Sequence, residues 1–187
     1  MTSVTPGALL AGDWRVSTER TRATFTVRKL GLITVHGSIA VREGSAALDP
    51  QGRPTAVTAL LDPARISTGI TRRDADLRGP RFFDVARFDT LRFRTERIER
   101  IEPVDGVDGV DGVDGGWMLR GRLTVRDREV PLDLTVQHEV DVATGTATVR
   151  ARGLLDRATT GLRAPRWLIG RWIGIDVTAE LTRSASG

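Results

Sequence analysis

The sequence predicts an all-β fold, an eight-stranded antiparallel barrel with a short lid helix near residues 71–79. Three observations carry this expectation. Apolar and polar residues alternate with period two through most of the 187 residues, the pattern of strands with one buried face. Turn clusters separate the alternating runs. One segment, STGITRRDADLRGPRFFDVARFDTLRF from Ser67 to Phe93, breaks the alternation with a short polar helix and an aromatic-rich return.

Ala23, Phe25 and Val27 alternate with Arg22, Thr24, Thr26 and Arg28, and the strand ends at Gly31. Ile33, Val35, Ile39 and Val41 form the inward set of the next strand, with Gly37 where the chain must bend or approach a neighbour closely. DPQGRP at 49–54 is a turn, and Val57, Ala59 and Leu61 resume the pattern. In the lid, Arg72 to Arg78 make about two helical turns, stopped by Gly79-Pro80, with Leu77 and the Phe pair pointing inward. Asp74 and Asp84 are placed to accept bonds from Arg73, Arg78 or Arg81. A further strand runs from Leu91 and Phe93 to about residue 101. Trp117, Leu119, Gly121, Leu123 and Val125 then face in, Asp127-Arg128 turns the chain, and Val130, Leu132, Leu134 and Val136 follow. Ala147, Val149 and Ala151 lie on the seventh strand. Ile173, Ile175, Val177, Ala179 and Leu181 lie on the last. An up-and-down barrel of such strands leaves no exposed edge.

The length fits a single domain over residues 1–187 with a sizeable core. No apolar run is long enough to span a membrane as a helix, and the N-terminal stretch lacks the basic and apolar regions of an export signal, so a cytoplasmic location is expected. Cysteine is absent, which excludes disulfides and thiolate chemistry. The net charge of +4 suggests nucleic acid, but the arginines are scattered among acidic residues, and neither RNA-binding aromatic signatures nor a helix-turn-helix is present. No nucleic-acid partner is expected. A weak affinity for anionic headgroups, and with it a transient membrane contact, is compatible with the charge. His36 and His138 lie far apart in strand patterns, and no GxSxG elbow exists, so catalysis is not expected. Neither a cofactor nor a metal site is expected.

An eight-stranded barrel either fills itself or holds one small ligand. Ala23, Ala59, Gly121, Ala147, Ala151 and Ala179 are inward and small, and the chain has only five Phe, four Trp and no Tyr. These favour a cavity. The alternative is a filled barrel serving as a structural or stress-related interaction protein.

Thr68-Gly69, Arg73-Asp74, Leu77-Arg78, Phe82-Phe83-Asp84 and Phe93 stand in an order that resembles the YceI-like lipid/polyisoprenoid-binding family. The resemblance extends to Trp14, Phe25-Thr26-Val27, Val35-His36-Gly37, Gly121 to Val125, Val130-Pro131-Leu132, Leu155-Asp156-Arg157 and Gly161. Asp127, Asp89 and Thr160 depart from the family's usual glycine, proline and aromatic residue at those places. The resemblance implies a lipocalin-like barrel that binds a polyisoprenoid, isoprenoid quinone or fatty-acyl amphiphile as a carrier, and it is compatible with a homodimer. The ligand-binding residues expected on the walls are Phe25, Val27, Val35, Phe93, Leu123 and Ile175. At the lid and mouth they are Leu77, Phe82, Phe83, Phe88 and Trp167, with Arg157, Arg163 or Arg166 meeting a polar head.

VDGVDGVDGVDG at 104–115 is a low-complexity insertion, within a hairpin loop over 104–116. Asp with Gly every third residue hints at calcium, but the spacing fits neither an EF-hand nor a nonapeptide repeat. Expansion in a solvent-exposed loop is the better reading, because lengthening a loop costs little. Deleting residues 104–115 should shift the melting temperature by no more than a few degrees and leave ligand uptake unchanged. Differential scanning fluorimetry with and without calcium checks this, and a large loss or a calcium-dependent gain would contradict it.

Overall fold

The structure is a computed structural model that describes residues 10–102, 116–141, 145–162 and 169–184. Its strands are β1 (Gly12–Val16), β2 (Arg22–Lys29), β3 (Ile33–Leu48), β4 (Pro54–Ser67), β5 (Leu91–Ile101), β6 (Gly116–Val125), β7 (Arg128–Asp141), β8 (Thr146–Asp156) and β9 (Ile169–Arg183), with the helix α1 (Thr71–Arg78) after β4. From β2 onward each strand pairs antiparallel with the next, and β9 returns to pair with β2, so eight staves close into a ring. The expected barrel and lid helix are both present. No described helix is long and apolar enough to cross a membrane.

β1 is a ninth strand that the alternation does not announce. It pairs with β3 from Gly12–Leu48 to Arg15–Ser45 and with β9 from Trp14–Arg183 to Val16–Leu181. β2 uses the same two neighbours farther along, with Ala23 opposite both Ile39 and Val177. The two are therefore halves of one stave, interrupted by a 3-10 turn at Thr18–Arg20. Glu180 holds the break together, accepting the Ser17 N–H at its carbonyl oxygen (2.8 Å) and Arg20 at its carboxylate (3.0 Å).

Antiparallel connectivity sorts the loops to two ends. The lid segment, the turn between β2 and β3, the turn between β6 and β7, and the stretch between β8 and β9 share one end, here the lid end. β1 and the turn between β3 and β4 lie at the other, the floor end. The β6–β7 turn is the two-residue loop Arg126-Asp127, one position earlier than expected, with Arg126 in the left-handed region at φ 59°. β9 starts at Ile169, four residues before the expected first inward position Ile173.

Bulges decide which residues face in. Register shifts between Val41 and Glu43 on β3 and between Thr95 and Arg97 on β5 each add a residue. Because side chains alternate, one extra residue moves the inward set from odd to even positions. Beyond the bulges the inward residues are therefore Gly44, Ala46 and Leu48 on β3, and Ile98 on β5.

Two inward glycines leave space that aromatic rings occupy. A Cβ at Gly37 would lie 2.2 Å from the Phe25 ring, and one at Gly121 would lie 2.6 Å from both the Phe93 ring and the Arg94 carbonyl oxygen. The first obstacle is the far end of a side chain with open space beside it; the second includes backbone that the sheet holds fixed. Gly121→Ala should therefore cost about 1–3 kcal/mol, the usual penalty of overpacking, and Gly37→Ala distinctly less. Urea unfolding of both variants tests the order, and equal losses would show that the β5 backbone yields.

Candidate functional site

Inside the ring lies a cavity of about 680 Å³, within the range of small-molecule sites. Phe25, Val27, Val35, Phe93, Leu123 and Ile175 line its walls, and Ala59, Ala151 and Ala179 leave the room that longer side chains would fill. The barrel is hollow, as the small inward residues lead one to expect.

Trp14 forms the floor. Its side chain is 3% exposed and packs with Leu48, Ala147 and Leu181, while its indole N–H donates to the Leu10 carbonyl oxygen at 3.0 Å. β1 holds this ring in place by pairing on both sides. The opposite end is roofed by Leu77, Phe82 and Phe83.

The roof is tied to the barrel by bonds other than those expected. Asp74 accepts hydrogen bonds from the Thr68 N–H (2.8 Å) and hydroxyl. Arg73 donates to the Thr68 hydroxyl (2.7 Å) and carbonyl oxygen (2.8 Å), and Arg78 donates to the Ile66 carbonyl oxygen at 2.9 Å. Both arginines thus reach back to the end of β4, not across to Asp74 or Asp84. Asp84, 7% exposed, lies 3.8 Å from Arg87 and from Arg126, which also donates to the Phe82 carbonyl oxygen. Asp89 accepts from the Thr90 hydroxyl and Arg42, which together hold its carboxyl below the ordinary value.

Phe25, Val27, Val35, Leu77, Phe82, Phe83, Phe93, Leu123 and Ile175 all face the cavity. Phe88 does not. Its ring centroid lies 5.2 Å from the Arg87 guanidinium and 5.5 Å from that of Arg126, both within cation–π reach. The correction has a local cause: Asp84 sits at φ 50° and accepts the N–H groups of Arg87 and Phe88 at its carbonyl oxygen, so a tight turn points Phe88 away. Trp167, Arg163 and Arg166 lie outside the described residues. Arg157 lines the cavity but is 7% exposed and donates to the carbonyl oxygens of Leu162 and Gly170, so it braces the β8–β9 stretch. Thr160, where an aromatic is usual, is 1% exposed and turns its hydroxyl to the Arg157 carbonyl oxygen at 2.7 Å. At the lid end, Lys29 and Arg81 line the cavity with no ion-pair partner among the described residues.

A family model described as the YceI-like domain matches residues 14–182. The chain belongs to the YceI-like family. No curated protein sequence matches it. Among solved structures this YceI-like barrel is similar to BcnA of Burkholderia cenocepacia, at TM-score 0.65 and 14% identity over 88% of this chain and 98% of that one. It is similar also to a polyisoprenoid binding domain from Saccharophagus degradans implicated in plant cell wall breakdown, at TM-score 0.60 and 13% identity over 91% and 98% of the two chains. A Campylobacter jejuni YCEI protein matches at TM-score 0.55 and 14% identity over 77% and 79%. At such identities these likenesses establish the fold.

His138 is one of the lining residues that sequence reasoning passed over. It shares the inward parity of Leu134 and Val136 on β7, stands opposite Val149 of β8, and lies between the main apolar cluster and the Trp14 floor. Burial pushes its imidazole below the usual 6.5, with no neighbouring charge to offset it. An unfolded chain then takes up this proton at higher pH than the native YceI-like barrel does. Stability is therefore full above about 6.5 and falls as pH drops through the lowered native value. Urea midpoints at pH 7.5 and pH 5 should differ less in His138→Leu than in the unaltered protein; an unchanged difference would place the acid sensitivity elsewhere.

Proposed function

We propose that this protein binds and carries one long-chain apolar amphiphile of polyisoprenoid, isoprenoid-quinone or fatty-acyl type. The observation that supports this most is the cavity itself, which runs from Trp14 to Phe82 and Phe83 between walls that are almost entirely aliphatic and aromatic. Each buried CH₂ contributes about 0.8 kcal/mol, so a five-carbon unit gives roughly 3–4 kcal/mol gross. A few such units exceed the ~4–15 kcal/mol that association costs. Membership of the YceI-like family, and a fold shared with a protein described as a polyisoprenoid binding domain, favour the same ligand class.

The head of the amphiphile belongs at the lid end, where Lys29 and Arg81 supply positive charge and Asp76 and Thr68 supply hydrogen-bonding groups. Holding the ligand requires nothing beyond burial and a few polar contacts, so no reacting residue is assigned. One chain lines the cavity, and a homodimer is not needed for this role.

The test is native mass spectrometry of the purified protein, followed by organic extraction and mass analysis of what is released. Ala59→Phe places a ring in the cavity and leaves the outer face untouched. The expected result is a stoichiometric apolar molecule on the unaltered protein and its loss, or a drop of tenfold or more in uptake of an added isoprenoid quinone or fatty acid, in the variant. A protein that is empty and takes up neither compound would sink the proposal.

A further inference from the structure

The hairpin formed by β2 and β3 carries an exposed apolar tip. Leu30, Leu32 and Ile33 are 49%, 91% and 54% exposed, at the lid end of the barrel. Farther down the outer wall, Trp172 on β9 (52%), the strand that adjoins the hairpin, and Leu154 on β8 (64%), the strand beyond it, are diagonal neighbours. Of the seven large apolar side chains exposed among the described residues, these five gather in one sector of the lid end.

Two further observations say what covers the tip. The first is charge. No Asp or Glu occurs between Glu19 and Glu43, so the charged groups of the hairpin over residues 22–41 are the cations Arg22, Arg28 and Lys29. None of these three has an ion-pair partner among the described residues, whereas the outer faces of β5 to β8 carry cross-strand pairs such as Arg94–Glu129 and Arg120–Asp133. The second is strain. Leu30 sits at φ 53° beside Gly31 at φ 71°, a left-handed pair that Asn-Gly satisfies at lower cost than leucine. A leucine held there, half exposed, works against both stability and solubility.

We propose that the β2–β3 hairpin docks the lid end of the barrel onto an anionic lipid bilayer. Leu30, Leu32 and Ile33 enter the outer acyl region, Trp172 lies at headgroup level as tryptophans do at such interfaces, and Arg28 and Lys29 meet lipid phosphates. The sector lies at the lid end, so a docked barrel turns its lid toward the membrane. Docking stands on the hairpin alone and does not depend on what the cavity holds.

The test is flotation of the delipidated full-length protein with vesicles of phosphatidylcholine alone and of phosphatidylcholine with one-quarter phosphatidylglycerol. Binding to the anionic vesicles should be at least tenfold stronger than to the neutral ones. Leu30→Asn with Leu32→Asn should weaken it tenfold or more, and Arg28→Gln by about fivefold, the value of one basic residue near an anionic surface. Raising salt from 50 to 500 mM should have an effect in the same direction. Leu30→Asn relieves the strained turn, so the double variant is expected to remain folded; circular dichroism and unchanged cavity uptake check this. Leu154→Asn, on the rigid wall, gives a second reading independent of the turn. Failure to float on either vesicle, or equal flotation of the double variant, overturns the proposal. So does a dimer seen by sedimentation that Leu30→Asn with Leu32→Asn dissociates, since the tip would then be covered by a second copy. Loss of docking with uptake intact, or the reverse, separates this proposal from the carrier role.

Discussion

Closure of the sheet is the constraint from which the other features follow. A strand edge left open would expose a row of unpaired backbone groups, and a barrel avoids that by making its last strand a neighbour of its first. β9 is that neighbour here, and it is shared: β2 takes one part of it and β1 another. Once the ring of backbone hydrogen bonds is complete, the wall is held without a packed centre. Ala59, Ala151 and Ala179 can then face a void that would be costly in a fold stabilised by core packing alone. The cost is transferred to the ends, where Trp14 and the Leu77, Phe82 and Phe83 roof carry the bulk the walls lack.

Much of this was legible in the chain because a strand with one buried face writes its orientation into every second residue. Phe25 and Val27, Trp117 to Val125, and Ile173 to Leu181 face in as their parity requires. Parity carries no further than Val41 on β3 and Thr95 on β5, where the backbone inserts a residue. Nothing in Val41-Arg42-Glu43 or Thr95-Glu96-Arg97 distinguishes a bulge from a continuous strand, yet each switches the inward set. β1 escaped notice because in five residues it buries only Trp14, too little to establish a period. His138 was visible to the same parity rule as Val136, and was missed because a histidine in a strand reads first as surface. Phe88 was misplaced by composition: aromatic residues near a lid suggest a pocket wall, while the direction of this ring depends on the left-handed turn at Asp84 and on two arginines distant from it or beside it in sequence.

The arginine content also becomes intelligible once the strands are paired. On the outward face, Arg120 meets Glu99 and Asp133, Arg122 meets Glu96, and Arg152 meets Asp176 across neighbouring strands, and Arg94 reaches over β6 to Glu129 on β7. Exposed pairs of this kind contribute at most about 1 kcal/mol each. Their larger effect is to cancel the field of the outer wall, so a basic net charge does not become a broad phosphate-binding face. The β2–β3 hairpin stands apart because residues 20–42 contain no acid, and its Arg22, Arg28 and Lys29 form no such pair among the described residues.

That hairpin is also where the wall is least supported. Ser38 of β3 pairs with Ser67, the last residue of β4, and beyond it Ile33 to Gly37 have, among the described residues, a strand partner only in β2. Across this gap lies the start of the lid, whose Thr68, Arg73, Asp74 and Arg78 bonds hold it against the end of β4. A roof fixed in this way is a poor gate. The hairpin, anchored by β9 along one side and free along the other, can yield with fewer hydrogen bonds broken, and Val27 and Val35 on its inner face already line the cavity. The part of the wall that yields at least cost to the sheet is therefore this hairpin, beside its exposed leucines.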